Sequence, residues 1–587
     1  MMSKTFSIKT RETIKMIAVT LRKNIGLLAL LTIGLLLISP GFMLRSIDEM
    51  GKNELMNHVH ELDQVVLSIN AVVGGMMIFL FNFIHFSFLY TKRAGDVFFA
   101  LPLTRGSLLF SRAAAGFMLT MIPITVSSAV MVVVHLVTGV SGVGGFLLGF
   151  LLIAACVLLF GCFSLIFFTA AGSVFDLLVS FIGINAGVLI LVLFYHLLCE
   201  NFLIGFTSSE NTMTAVMSRI SPIFLAGEIL VRFISGATPC TLSSVPIRCF
   251  IEWGVWTVGS ILLTAVLFKR RPTEASGGSY AFRFMPILCG LVAANIGAFV
   301  VGMIFSQEEM DAPFWVFAVI GGLLFAVAYG AVTNRGFKML KQSFVIGGIA
   351  VLFLAATTVV VASGGFGYET RLPKQKDIVS AEVSLPGFEQ AQVSPEAVLA
   401  LHGAVVEQLE DLTPAEEDVP ISLTISYQLK GNRTMEREYT VGQNSAIEQK
   451  LLAIYRSPER IQQLKKEIDA VGAGEYVALW QQYTPEEQDA EWFGETVPLT
   501  NAELRHLTDA YFKDLPHATT DSLYRNDLCA EYLIEIHGGK NADYYRDFLL
   551  RVEPGFAETK AALEALNLPE RIAQQRALGA EKEYINE

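Results

Sequence analysis

The 587-residue chain has no phosphate cradle of the form G-x-x-x-x-G-K-[S/T], so it lacks the loop with which a protein holds ATP for hydrolysis. Its seven cysteines include no C-x-x-C pair, which removes the usual zinc and redox motifs. His58 and His60, in the loop after the first apolar stretch, form an H-x-H with no third ligand evident nearby; they read as solvated loop residues, and no metal site is predicted. The acidic runs Glu416-Glu417-Asp418 and Glu486-Glu487-x-Asp489 lack the full spacing of a calcium loop and read as solvated turns. The middle of every long apolar run is without Asp, Glu, Lys or Arg. Ion pathways keep such groups although each costs at least ~2.5 kcal/mol, so a proton pump or an ion-coupled carrier is disfavoured. An intramembrane enzyme is disfavoured too, because only scattered histidines lie at depth.

What is present is apolar length. A helix needs about 20 apolar residues to cross a bilayer, and nine stretches qualify: Ile25–Leu44, Val65–Tyr90, Ala113–Val137, Phe146–Ala171, Leu177–Leu198, Cys249–Phe268, Met285–Phe305, Pro313–Thr333 and Ser343–Ser363. The first has a long basic lead and no A-x-A-type cleavage site after it, and is expected to be retained as a span. The composition changes abruptly near Gly365. Residues 1–363 hold 22 Lys/Arg against 16 Asp/Glu, whereas residues 364–587 hold 21 against 39. A basic, apolar part is thus followed by an acidic one, which argues against nucleic acid as a partner.

With the N-terminus inside, the segments 1–24, 91–112, 172–176, 269–284 and 334–342 carry 17 of those 22 cations, leaving five on the other side. The positive-inside rule then predicts a cytoplasmic N-terminus in the plasma membrane and, with an odd number of spans, an extracellular C-terminal head. Arg371, Lys374 and Lys376, just past the ninth span, point the other way. Cys199, Cys240 and Cys249 fall near the outer face, where the reading favours unpaired thiols over a disulfide. The polar residues left within the spans, among them Asn82, His85, His135, Asn185 and His196, are read first as interhelical hydrogen-bonding groups and second as lining a cargo path.

Residues 4–24 form a basic amphipathic pattern, with Ile14, Ile17, Ala18 and Leu21 on one face, which predicts a cytoplasmic elbow helix at the membrane surface. The segment between the second and third spans, residues 91–105, mixes charge with Phe98, Phe99 and Leu101. It is predicted to form a short docking helix ended by Pro102, with Thr104 capping the next helix.

The sequence from Lys92 to Leu101-Pro102-Leu103-Thr104-Arg105 resembles the charged, Gly-containing segment that ends in Leu-Pro-x-[Ser/Thr]-Arg in type-2 ATP-binding-cassette (ABC) exporter permeases. The amphipathic lead helix, the long loop 199–248 between spans five and six, and Lys269-Arg270-Arg271-Pro272-x-Glu274 after span six extend the likeness over residues 1–284. Three further spans and a C-terminal domain depart from the six-span core and resemble a Gram-positive branch of such permeases. The resemblance implies a six-span permease core at 25–284, three additional spans at 285–363 and a soluble acidic α+β domain at 364–587. Lys92, Arg93, Asp96, Leu101, Pro102, Thr104 and Arg105 would couple it to an ATPase. It further implies a separate ATP-binding subunit that carries the ATP and magnesium, no cofactor of the chain's own, and a second permease copy or related chain. The expected function is export of an amphipathic or apolar molecule, and the alternative is a cell-envelope sensor or antibiotic-resistance module whose head binds a ligand.

Within the head, Ile421, Leu423, Ile425, Tyr427 and Leu429 alternate with polar residues, and Met435, Arg437, Tyr439 and Val441 continue the alternation after a turn, which predicts a hairpin. Further strands are expected at Ile378–Leu385, Glu531–Ile536 and Phe548–Val552. Helices are expected at Pro395–Leu409, Ala446–Tyr455, Pro458–Ala470, Asn501–Leu515 and Phe556–Leu566.

Overall fold

The fold is given by a computed structural model. It describes the chain except at residues 1, 50–51, 139–141, 208–209, 236–240, 279, 306–311, 334–335, 338–339, 386–387, 410–411, 413–420, 431–432, 443–444, 471–475, 483–496, 524–531, 539–545, 568–570 and 572–587. Cys240, Cys529 and the acidic runs at 416–418 and 486–489 lie outside the described residues. Two compact units result, one of residues 1–197 with 208–358 and one of 198–207 with 359–587.

The first unit is helical: α1 (Met2–Lys23), α2 (Ile25–Ile38), α3 (Pro40–Glu49), α4 (Lys52–Phe86), α5 (Lys92–Phe99), α6 (Arg105–Thr138), α7 (Val143–Ala170), α8 (Val174–Phe202, whose end joins the second unit), α9 (Glu210–Ile220), α10 (Pro222–Ser235), α11 (Ile247–Arg270), α12 (Phe284–Phe305), α13 (Ala312–Thr333) and α14 (Leu340–Ala362). Among the described residues nine segments are long and apolar enough to cross a membrane, and they coincide with the nine stretches read from sequence. This is the architecture of a polytopic helical membrane protein.

Four details differ from the reading. The first span is broken at Ser39, because Pro40 has no N–H to continue α2 and instead opens α3. The stretch around His58 and His60 is helical rather than a loop, since α4 begins at Lys52. The loop 199–248 contains two helices, α9 and α10, and buried Phe233, Ile229 and Leu225 join α10 to the core around α4 and α7. On α1 the packed side carries Met16, Thr20 and Leu21, whereas Ile14 and Ala18 are exposed, so only part of the predicted apolar face meets the bundle.

The second unit is α+β. Strands β1 (Ile378–Leu385), β2 (Phe388–Val393), β3 (Ile421–Leu429) and β4 (Arg433–Val441) form one antiparallel sheet in the order β2-β1-β3-β4. Strands β5 (Tyr476–Gln482), β6 (Val497–Leu499), β7 (Tyr532–Gly538) and β8 (Arg546–Val552) form a second in the order β6-β5-β7-β8. A helix follows the second and the fourth strand in both sheets: Pro395–Glu407 and Ser445–Tyr455 in the first, Asn501–Asp514 and Ala557–Leu566 in the second. The head is therefore a ββαββα unit repeated twice. The first helix of each half starts on a hydroxyl cap, Ser394 or Thr500. The predicted hairpin is present in register, with Tyr427 opposite Met435 and Leu423 opposite Tyr439. Strands β2, β5 and β6 were not foreseen.

His402, fully buried on the helix Pro395–Glu407, bridges the hydroxyls of Tyr427 (3.1 Å from Nδ1) and Tyr439 (2.8 Å from Nε2). Burial, and then the nearby Arg437 charge, lower its pKa from 6.5 to about 4. Tyr439 also packs on Gly205, whose φ of 78° suits glycine, while Glu369 Oε1 accepts from Ile204 N at 2.9 Å. Arg437 lies 3.7 Å over the Tyr368 ring and donates to the Tyr368 carbonyl. The short segment 198–207 is thereby held against the first sheet.

Because the folded pKa of His402 is depressed, the folded head keeps the imidazole neutral while the unfolded chain takes up a proton below pH 6.5. The contribution is complete above pH 6.5 and is lost as pH falls toward 4. Thermal melts of the full protein between pH 7 and 4.5 are expected to show this loss. His402→Phe removes that pH dependence and costs about 1–3 kcal/mol at neutral pH, since the Tyr439 hydroxyl loses its imidazole partner and Tyr427 keeps only the Val398 carbonyl.

Candidate functional site

At one end of the first unit, a 3-10 turn (Ser87–Tyr90) leads from α4 into α5, and Thr91 changes the backbone direction between them. One side of α5 is packed. Gly95 is buried, and Phe98 and Phe99 lie 4.6 Å and 6.0 Å from Phe88, ring centre to ring centre. Two guanidinium groups cover these rings, Arg112 over Phe98 (4.4 Å) and Arg105 over Phe99 (5.1 Å). The helix ends at Phe99, ahead of Pro102, and Ser107 N donates to Thr104 Oγ1 at 3.1 Å. Pro102 and Thr104 thus act as the sequence predicted.

Arg271 anchors this end. It is buried, at 2 % exposure, and its guanidinium donates to Leu89 O in the 3-10 turn that follows α4 and to Thr169 O and Ala171 O at the end of α7. These carbonyls belong to the terminal groups that a helix leaves without internal partners. Burial lowers the pKa of Arg271 from 12.5 to about 10, which leaves it charged at neutral pH. Arg105 adds a second tie, donating from Nη1 to Lys269 O (2.9 Å) and Arg271 O (2.8 Å) at the end of α11.

The other side of α5 is open: Lys92, Arg93, Asp96 and Ala100 are exposed, Val97 is 64 % exposed, and Leu101 and Pro102 continue the surface. The seven residues picked out in the sequence therefore divide. Lys92, Arg93, Asp96, Leu101 and Pro102 form a face, while Thr104 and Arg105 hold that face in place. Val97, its most exposed large apolar residue, was missed although it stands four positions from Arg93 and from Leu101, the spacing of one helix face.

The five polar span residues do not form one path. Asn82 Nδ2 donates to Gly161 O (3.1 Å) and Ser164 Oγ (3.0 Å), bonding α4 to α7. His85 stands one turn further along α4. His135 Nε2 meets Asp63 Oδ1 at 2.9 Å, an interhelical contact buried to within 2 % on both sides. The nine-span reading left Asp63 outside the second span, which in the structure begins at Glu61. Asn185 donates to Phe181 O in its own helix, and His196 is half-buried on α8.

Sequence reasoning also missed a line of hydroxyls on α11. Thr257, Ser260 and Thr264 are buried and none has a hydrogen-bond partner among the described residues. Their i, i+3, i+7 spacing within an apolar helix was the available signal. It also missed a charge cluster: Glu228 Oε1 receives Arg232 (2.8 Å) and Arg248 (2.5 Å), and Glu252 pairs with Arg219 and Arg248. Among the described residues no group of three His, Cys, Asp or Glu side chains is placed to hold a metal.

No protein-family model, curated protein or solved structure matches the chain.

Arg271→Met leaves three buried carbonyls without their donor. Unsatisfied groups of this kind cost about 1–3 kcal/mol each, so the detergent-solubilised protein is expected to melt several degrees lower. Arg271→Lys, which keeps the charge but not the planar fork, should recover only part of the loss.

Proposed function

We propose that this chain is the membrane-spanning permease subunit of an ABC exporter, with α5 as the segment that docks on a separate ATP-hydrolysing subunit. The observation that carries the reading is the two-sided construction of α5. A short helix with an open charged and apolar face is clamped from behind to the ends of α4, α6 and α11 by Phe88, Arg105 and Arg271. A helix fastened in this way transmits a push on its open face to several spans together, which is what coupling ATP hydrolysis to transport requires. The missing phosphate cradle and the likeness of the 91–105 segment fit the same reading. In this proposal the N-terminus and α5 are cytoplasmic, the head is extracellular, and a second permease copy or related chain completes the pathway. The cargo is amphipathic or apolar.

A sensor role for the head is the second reading. It is favoured by the grip of the first sheet on segment 198–207, which continues from the membrane-length helix α8.

Val97→Glu combined with Leu101→Glu alters the open face alone. Affinity purification from native membranes is expected to recover an ATPase with the wild-type chain and to lose it with this double variant, at unchanged melting temperature. Retention of the ATPase by the variant, or its absence from the wild-type preparation, would contradict the reading. Arg105→Ala is expected to keep the ATPase bound but to abolish its stimulation, because the face remains while its tie to α11 is cut.

A further inference from the structure

A cavity of about 450 Å³ lies among α4, α6, α7 and α11. Its volume is that of a small-molecule site. Phe110 of α6 and Ile261 of α11, 65 % and 48 % exposed, stand at its rim among the exposed apolar residues of both helices. The floor is buried and almost wholly apolar, with Ile78 and Gly161 beside Asn82.

Asn82 is the informative residue. The Gly161 carbonyl can only accept a hydrogen bond, so its 3.1 Å contact fixes the Asn82 NH2 on that side and turns Oδ1 the other way. Asn82 is 1 % exposed, and Oδ1 accepts from no described residue. It lies 3.3 Å from the point where a Cβ would stand on Gly116, and His85 Nδ1 lies 3.4 Å from the same point. Neither ring nitrogen of His85 has a hydrogen-bond partner among the described residues, and the residue is 2 % exposed. Two unsatisfied polar side chains thus converge on the bare Cα of Gly116, and Ala113 and Phe117, close to it on α6, line the cavity. Buried polar groups are normally paired. An apolar chamber with the Asn82 amide in its wall is complementary to an apolar body with one donor.

We infer that this cavity binds a long-chain amphiphile whose hydroxyl donates to Asn82 Oδ1, with His85 beside it. That the amphiphile is the exported cargo rests on the transport reading, whereas binding itself does not.

The test uses the full-length protein in phosphatidylcholine nanodiscs, without an ATPase, labelled by diazirine-bearing hexadecanol or by the matching hexadecane. Saturable adducts on the α6 and α7 walls are expected, with the alcohol favoured about fivefold, the worth of one net hydrogen bond. His85→Phe keeps the stacking on Phe81 and should reduce that preference, while Ala265→Trp, an exposed position at the cavity wall, should suppress both probes. Melting curves of both variants verify the fold. Labelling that does not saturate, that survives Ala265→Trp, or that is equal for alcohol and alkane would overturn the inference. Because ATPase recovery is measured separately, its failure and the failure of this site are distinguishable.

Discussion

The hydrogen bonds from Arg271 to three helix-terminal carbonyls are the constraint on which this end of the membrane unit depends. Buried helix ends leave carbonyls with no partner, and here one guanidinium, on the C-cap residue of α11, satisfies the end of α7 and the turn that follows α4. A lysine could not do this, because a single ammonium cannot reach carbonyls on both sides through a planar fork. Everything built on that end, from the Phe88 turn to the stacked rings of α5, takes its position from this knot. Arg105 then extends it to the start of α6.

The two ends of functional interest are built on opposite principles. The open face of α5 carries exposed charge backed by the hydrogen bonds of Arg105 and Arg271. The cavity among α4, α6, α7 and α11 is apolar, with Asn82 and the unpaired Thr264 hydroxyl in its wall. Satisfied groups make a rigid surface for a partner to push, whereas unsatisfied ones create affinity for a ligand that completes them. A small residue matters to the second: Gly116 leaves room in front of Asn82 and His85, where a Cβ would stand 3.3 Å from the amide oxygen.

The spans were legible because a bilayer imposes a length and a composition, and nine apolar runs meet both. The hairpin of the head was legible for a related reason: Leu423, Ile425 and Tyr427 alternate with polar neighbours, and one face is buried. Pro102 and Thr104 were readable because each acts on backbone within three residues of itself. What escaped the reading was long-range. Nothing local in α11 says that the Arg271 carbonyl faces Arg105, 166 positions away. Asp63 finds His135 across 72 residues, and Asn82 reaches Gly161 across 79. Strand β5 (Tyr476–Gln482) was missed because Tyr476, Ala478 and Trp480 do not alternate cleanly in polarity with their neighbours. Helix α10 was missed because its 14 residues are too few to register as a span.

The twofold ββαββα order of the head also has a consequence for its integrity. The halves share a single hydrophobic core, in which Tyr427 and Leu451 of the first lie with Leu507, Tyr511 and Leu563 of the second. The Tyr455 and Tyr511 hydroxyls, one from each half, stand 3.3 Å apart within it. Either half cut from the chain would leave its side of that core bare to water, so the two halves stand or unfold together.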